Sequence, residues 1–302
     1  MEASNRRRSR YHISPGAAST VTPSTLALVR HVAVYGLLTA KQLSLISGRS
    51  LQSVLRACRK AFDAGLLSVA AVPRAALVDA SADLSPNLAY GSAPNVYTVS
   101  AAGLRLLKSA GLVDADATAA TIGPKSALFF LAHRLMVTDA RVWLSRCAAA
   151  SKGHELTEWR EGKAAEIVAR SVRVRPDGLA IYRMGERVLV ALVEADRNSE
   201  GSIRWKDKLA GYAAVLGSTE LRAKTGFQNA RLLVVANSEK RRDRLASIIS
   251  EHAHPSIKAR IWIADHGVFG CLDLTHPRWR QPGAVGLYPL VAPTIARTEG
   301  GG

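Results

Sequence analysis

The 302-residue chain is poor in cysteine, in aromatic side chains and in acidic charge, and it has no long apolar run. Its three cysteines, Cys58, Cys147 and Cys271, are odd in number and unrelated in spacing, which excludes a disulfide framework and a cysteine-based zinc site. The eight histidines lack ligand spacing too, and His252-Ala253-His254 reads as a helix end. No segment approaches the roughly 18–20 apolar residues that span a bilayer, and the first residues lack the apolar stretch of a signal peptide. The expectation is a cytoplasmic protein with no membrane partner. Aspartate and glutamate number 24 against 41 lysines and arginines, a net charge of +17. The excess is dispersed, with 13 basic and 6 acidic residues in positions 1–123, or +7, and +10 in the remainder. Such a balance fits a polyanion, and double-stranded DNA is the expected partner. An arginine-rich compositional bias would give the same dispersal, so charge alone does not decide.

What is present begins with Arg6-Arg7-Arg8-Ser9-Arg10 in an aperiodic stretch, residues 1–22, that predicts a disordered basic arm. Thr22-Pro23-Ser24 then caps a helix to residue 35, with Leu26, Val29, Val32 and Ala33 on one face. Thr39 caps a second helix over 40–46, and Ser47-Gly48-Arg49-Ser50 turns into a third over 51–64. On the third helix Leu51, Leu55, Cys58 and Phe62 form the predicted apolar stripe. Gln52, Ser53, Arg56, Arg59 and Lys60 face outward, beside Arg49 of the turn. Strands follow at 66–69 and 95–99, separated by a long excursion, and Ser100 caps a helix to 110. Three helices and a two-stranded return describe a winged helix-turn-helix, whose third helix enters the major groove. Arginine and glutamine are residue types that read base edges there, while serine and lysine mostly meet phosphate.

Residues 113–123 read as a linker, and Gly123-Pro124 precedes a long helix over 126–149. A first strand is predicted at 155–159, with Glu158 and Glu161 as candidates for a peripheral acidic role. Residues 179–183 and the unbroken apolar run 188–193 read as a hairpin, since Gly185-Glu186 between them suits a type II′ turn. That turn pairs Met184 with Arg187, and the same register sets Asp177 opposite Glu194, with Asp196 on the face of Glu194. Three carboxylates at one hairpin end repel. A divalent metal, or Arg175 and Arg197, is the expected compensation. A solvated hairpin whose acids pair with neighbouring arginines is the plainer alternative. Beyond it Ser199 caps a helix to 216, with Trp205, Leu209, Tyr212 and Leu216 as its buried stripe and Lys208 nearer the core edge than Lys206. Residues 231–236 form a strand, and Ser238 caps a helix with Lys240, Arg241, Arg242 and Arg244 outward. Residues 258–264 form a last strand, and a Pro/Gly-rich irregular tail ends the chain. Strands alternating with helices make this half α/β.

Arg175-Pro176-Asp177 and Glu194-Ala195-Asp196 resemble the PD-(D/E)XK nuclease core, in which Pro-Asp opens one strand and Glu-x-Lys closes the next. That resemblance implies a magnesium ion on Asp177 and Glu194, activating water against a phosphodiester. It makes Asp177, Glu194, Asp196 and Lys208 the candidate catalytic group. Asp196 stands where that superfamily has lysine, so Lys208 or Lys206 of the next helix would have to substitute. With Glu194-Ala195-Asp196-Arg197-Asn198-Ser199-Glu200 and Lys208-Leu209-x-x-Tyr212 added, the order from residue 24 to 279 resembles the replication-relaxation family of actinobacterial plasmids and other mobile elements. The resemblance implies a DNA-associated protein of plasmid replication or relaxation, with Glu-x-Asp in place of Glu-x-Lys across the family. The expected organisation is an arm (1–22), a winged helix-turn-helix (23–112), a linker (113–123), a PD-(D/E)XK-like α/β domain (124–280) and a tail (281–302). Three functions stay open. They are a non-catalytic DNA-binding regulator, a metal-dependent nickase using Asp177 and Glu194, and an adaptor to a plasmid replication initiator.

Overall fold

The structure, a computed structural model, describes residues 21–70, 95–120, 125–197 and 201–292. The basic arm, the excursion over 71–94 and Ser199 lie outside the described residues. Helices and a mixed sheet are both present, and the chain divides into two compact units, Met1–Thr138 and Asp139–Gly302.

In the first unit α1 (Pro23–Tyr35), β1 (Leu38–Thr39), α2 (Ala40–Ser47), α3 (Leu51–Asp63), β2 (Leu67–Ala70), β3 (Val96–Val99) and α4 (Ala101–Ser109) follow in order. Each helix opens on a hydroxyl cap. Thr22, Thr39, Ser50 and Ser100 each accept a backbone N–H three residues on, a contact that contributes about 1 kcal/mol. Thr39 and Gln42 form a reciprocal capping box. Thr39 also pairs with Val96, so one residue ends β1 and starts α2. The sheet is antiparallel with β3 central, in the order β1-β3-β2, and β1 was not anticipated because two residues carry no alternation to read.

The two predicted helix stripes are rotated. Thr25, Leu28, Val29 and Val32 are the buried residues of α1, and Val54, Ala57, Cys58 and Ala61 those of α3, while Leu51 is exposed. Alanine is a weak hydrophobic signal but a small one, and Ala57 and Ala61 let α1 and α3 approach where leucine would hold them apart.

The second unit begins within α5 (Lys125–Ala150), which the division crosses. Its sheet has five strands in the order β10-β9-β8-β7-β4. They are β4 (His154–Arg160), β7 (Gly178–Met184), β8 (Arg187–Asp196), β9 (Arg231–Ala236) and β10 (Ile261–Asp265). The β4–β7 and β7–β8 pairs are antiparallel, and β8–β9 and β9–β10 parallel. The hairpin turns where predicted. Met184 pairs with Arg187, Gly185 has φ 58°, and Glu186 does not share that positive φ, as a type II′ turn requires. On one face α6 (Ser202–Val215), α7 (Thr219–Thr225) and α8 (Glu239–His252) bury a core that includes Ile181, Val190, Leu192, Leu232, Val234 and Ile263. On the other, Cys147 of α5 lies near Tyr182, and Trp143 meets Trp279 with ring centroids 5.9 Å apart.

Several elements differ from expectation. A hairpin of β5 (Ile167–Ala169) and β6 (Val172–Val174) precedes β7. Its turn takes Arg170 and Ser171 through φ 50° and 67°, with no glycine or asparagine to announce it. The helix after β8 begins at Ser202 with Gly201 as its cap. The last sheet strand starts at Ile261, because Pro255–Lys258 forms a short helix (α9). The tail is not wholly irregular either, since β11 (Pro277–Trp279) pairs with β12 (Tyr288–Pro289) and buries Leu290 and Val291.

Gly103 of α4 sits against the backbone where α3 gives way to β2. A Cβ there would lie 2.2 Å from the Leu66 carbonyl oxygen, and backbone cannot swing aside. Gly103→Ala should therefore destabilise the first unit by about 1–3 kcal/mol, read as a lower chemical-denaturation midpoint. An unchanged midpoint would contradict the close packing.

Candidate functional site

The sequence places a Pro-Asp at the start of β7 and two acids at the end of β8, and register then decides which groups meet. Gly178 pairs with Val193, the last pair of the β7–β8 ladder, so Asp177 stands across from Glu194. Asp177 Oδ2 accepts the Ala195 N–H at 2.9 Å, which fixes it to β8. Gly178 is required beside it, because a Cβ there would come within 2.5 Å of the Trp159 ring.

Glu194 and Asp196, side by side on the α6 face, are both 3% exposed. An ionised carboxylate so buried costs several kcal/mol unless it is paired and hydrogen-bonded. Glu194 is met by α6. Lys208 Nζ donates to Oε2 at 2.7 Å, and the Tyr212 hydroxyl donates to Oε1 at 2.5 Å. Lys208 is half-buried while Lys206 is exposed, as the helical spacing predicted, and its ammonium also lies 5.3 Å from the Trp205 ring. Burial pushes the Glu194 carboxyl up to about 7. Lys208 pulls it down, and Asp177 raises it further.

Asp196 is met by α8. Arg241 donates Nε to Oδ1 at 2.6 Å and Nη2 to Oδ2 at 2.8 Å, and Trp205 Nε1 donates to Oδ2 at 2.9 Å. This corrects two expectations. Asp196 is not a third member of a shared acidic cluster, because its charge is cancelled by a bidentate arginine. Arg241 is not outward-facing but 5% exposed. Its neighbour Arg242 is engaged as well, with Asp243 at 2.8 Å and Asp265 at 2.7 Å. Arg241 was missed because it sits in the run Lys240-Arg241-Arg242, where composition reads as a solvated face. The available signal was position, three residues after the Ser238 cap and at core spacing from Leu245.

Arg175, expected among the acids, turns away to Glu166, with Nη2 at 2.6 Å and Nε at 3.1 Å from its Oε2. Glu158 pairs with Arg160 and Glu161 accepts the Trp159 indole N–H, so neither candidate peripheral acid joins Asp177 and Glu194. Among the described residues no three His, Cys, Asp or Glu side chains converge as metal ligands. The donor set does not fit a magnesium ion in this arrangement. Each Glu194 oxygen already holds a protein donor, and a cation would have to displace the Lys208 ammonium.

In the first unit the six candidate DNA-contacting residues separate into two groups. Gln52, Arg56 and Lys60 are exposed at four-residue spacing, one stripe along α3. Arg49 donates to the Ser24 carbonyl at 3.3 Å and to Ser53 Oγ at 3.1 Å, while Arg59 pairs with Asp63 at 2.8 Å. Arg49, Ser53 and Arg59 are thus partly spent within the unit.

A basic, mixed α+β chain with a helical unit followed by a sheet bearing Pro-Asp and Glu-x-Asp defines a class, and comparison identifies which. Residues 30–230 match the replication-relaxation family, and the chain belongs to it. Membership points to a role in the replication of a plasmid or other mobile element. No curated protein and no solved structure matches the chain.

Two outcomes follow from the buried acids. Arg241→Ala strands the Asp196 carboxylate and should cost about 3–5 kcal/mol, whereas Arg244→Ala, at an exposed position, should stay within about 0.5 kcal/mol; equal effects would show that the pair is not buried in solution. Glu194 has a folded pKa above its unfolded value, so its contribution to stability is full below about 4.5 and is lost as pH rises towards about 7. Glu194→Gln should flatten the pH dependence of unfolding across that window. A mutant curve parallel to the wild type would contradict the assignment.

Proposed function

We propose that this protein binds double-stranded DNA and controls the replication or relaxation of a plasmid or other mobile element. In this reading the first unit is a winged helix-turn-helix and the second a PD-(D/E)XK-type fold used as a platform rather than for cutting. The observation that carries the DNA-binding part is the order α1-β1-α2-α3-β2-β3 with β3 central, which leaves the Gln52, Arg56 and Lys60 stripe of α3 exposed. A helix so presented enters the major groove, where Arg56 and Gln52 can meet base edges and Lys60 a phosphate. Arg49, Ser53 and Arg59 flank the stripe and add phosphate contacts at its edges. The net charge of +17 supplies the long-range attraction.

For the second unit, the non-catalytic reading is supported by the donors already on the acids. Hydrolysis needs a positioned water and a cation near the growing negative charge. Here Asp196 is committed to Arg241, and Lys208 is held on Glu194. One observation favours a second reading, a metal-dependent nickase. The Lys208 ammonium is delivered from α6 to the acid pair, where the superfamily uses a strand lysine.

Titration of DNA against the Arg56→Ala, Lys60→Ala double variant tests the first reading. Affinity should fall, and the slope of log K against log salt should become shallower by about 1.8 if two phosphate-neutralising contacts are lost. An unchanged slope and affinity would remove α3 from the interface. Supercoiled plasmid with magnesium or manganese should remain uncut. Nicking abolished by both Asp177→Ala and Lys208→Ala, with DNA affinity intact, would replace the platform by the nickase.

A further inference from the structure

Arg187, Arg231 and Ile261 open the adjacent strands β8, β9 and β10, at the sheet edge opposite the one where Glu194 and Asp196 close β8. At this edge a cavity of about 300 Å³ is lined by Val188, Val190, Asn229, Ala230, Arg231 and Arg260, among others. That volume lies at the lower end of small-ligand sites.

Its charge is unbalanced. Nη1 of Arg231 and Nη1 of Arg260 are each buried without a hydrogen-bond partner among the described residues. Arg187 is close enough to Arg231 that, after burial, its charge is the second influence lowering the Arg231 pKa. Its own Nη1 donates to the Ala292 carbonyl at 3.0 Å, and among the described residues none of the three arginines is paired with a carboxylate. Elsewhere in this unit buried or half-buried arginines do find acids, as Arg241 finds Asp196 and Arg242 finds Asp265. The Arg231 guanidinium stacks over Trp262, 4.7 Å from the ring centroid. Stacking occupies its face and leaves its N–H edge for an acceptor in the guanidinium plane. Gly217 leaves room for the second guanidinium, since a Cβ there would be 3.1 Å from Arg260 Nη1.

Partly buried guanidinium groups without counter-charges are costly, and a planar fork matches the oxygens of a phosphate. The remaining wall is apolar, formed by Val188, Val190 and Ala230, with the Asn229 amide able both to donate and to accept. Phosphate-binding arginines beside an apolar wall with one amide suit a phosphate attached to a sugar and base. We propose that this cavity binds the phosphate of a nucleotide, with Arg231 and Arg260 on its oxygens and Arg187 adding charge. The nucleotide is either free or part of a DNA strand, and the site is separate from the α3 stripe.

Calorimetric titration of the full chain with dAMP, at constant ionic strength, tests this. The wild type should bind one dAMP saturably, with inorganic phosphate competing. Arg260→Gln should weaken binding about tenfold or more, the scale of a lost charge-assisted hydrogen bond. Arg187→Gln, at an exposed position, should weaken it less and provides the reading if Arg260→Gln does not fold. The Arg56→Ala, Lys60→Ala variant should bind dAMP as the wild type does, so this site and the α3 interface can fail separately. Competition by a short DNA duplex would assign the phosphate to a strand, and its absence would assign it to a free nucleotide; both uphold the site. No saturable binding of dAMP or phosphate to the wild type, or wild-type affinity in both folded arginine variants, would overturn it.

Discussion

Two buried carboxylates at the end of one strand set the terms for the second unit. Glu194 and Asp196 point into the face where α6 and α8 pack, and neither can be left there uncompensated. Each helix therefore has to bring a cation and a neutral donor to a fixed place. From α6 come Lys208 and Tyr212 for Glu194, and Trp205 for Asp196; from α8 comes Arg241 for Asp196. Trp205 and Tyr212 are at the same time large members of the apolar core, so one helical stripe fills the core with its rings and answers the acids with their polar tips. Packing and charge compensation are thus satisfied by the same rotation of α6 and cannot be adjusted separately.

The two acids end in different electrostatic states. Asp196 takes both nitrogens of one guanidinium fork plus an indole N–H, an arrangement that fixes its geometry as well as its charge. Glu194 has a single ammonium with its own exposure to water, faces Asp177, and is pushed by burial towards the neutral range. One end of β8 therefore carries a rigid ion pair next to a carboxyl that can exchange its proton. The opposite edge of the sheet concentrates positive charge without acids among the described residues. The fold separates charge along its strands, a feature that overall composition does not convey.

Much of the local structure was legible because it depends on near neighbours. Caps at Thr22, Thr39, Ser50, Ser100 and Ser238, the Gly185-Glu186 turn and the resulting Asp177–Glu194 register all follow from a few adjacent residues. The placing of Lys208 at the core edge followed from helical periodicity. What was misread has a common cause. The α3 stripe shifted because Ala57 and Ala61, weak by hydrophobicity, matter for how closely a helix can approach. The β5–β6 hairpin turns through Arg170 and Ser171, held at positive φ by context instead of by glycine.

By itself, then, the sequence determined the α+β composition, most helix starts, the hairpin register and the pairing of Asp177 with Glu194, since these rest on contacts within a turn or a ladder. Only the tertiary structure decided which cation answers which acid. Arg175 and Arg241 are equally basic in the chain, yet Arg175 goes to Glu166 and Arg241, 45 residues beyond Asp196, becomes its partner. Ion pairs are selected by where packed elements bring their side chains, and that choice is made by burial across the sheet, which adjacent residues do not encode.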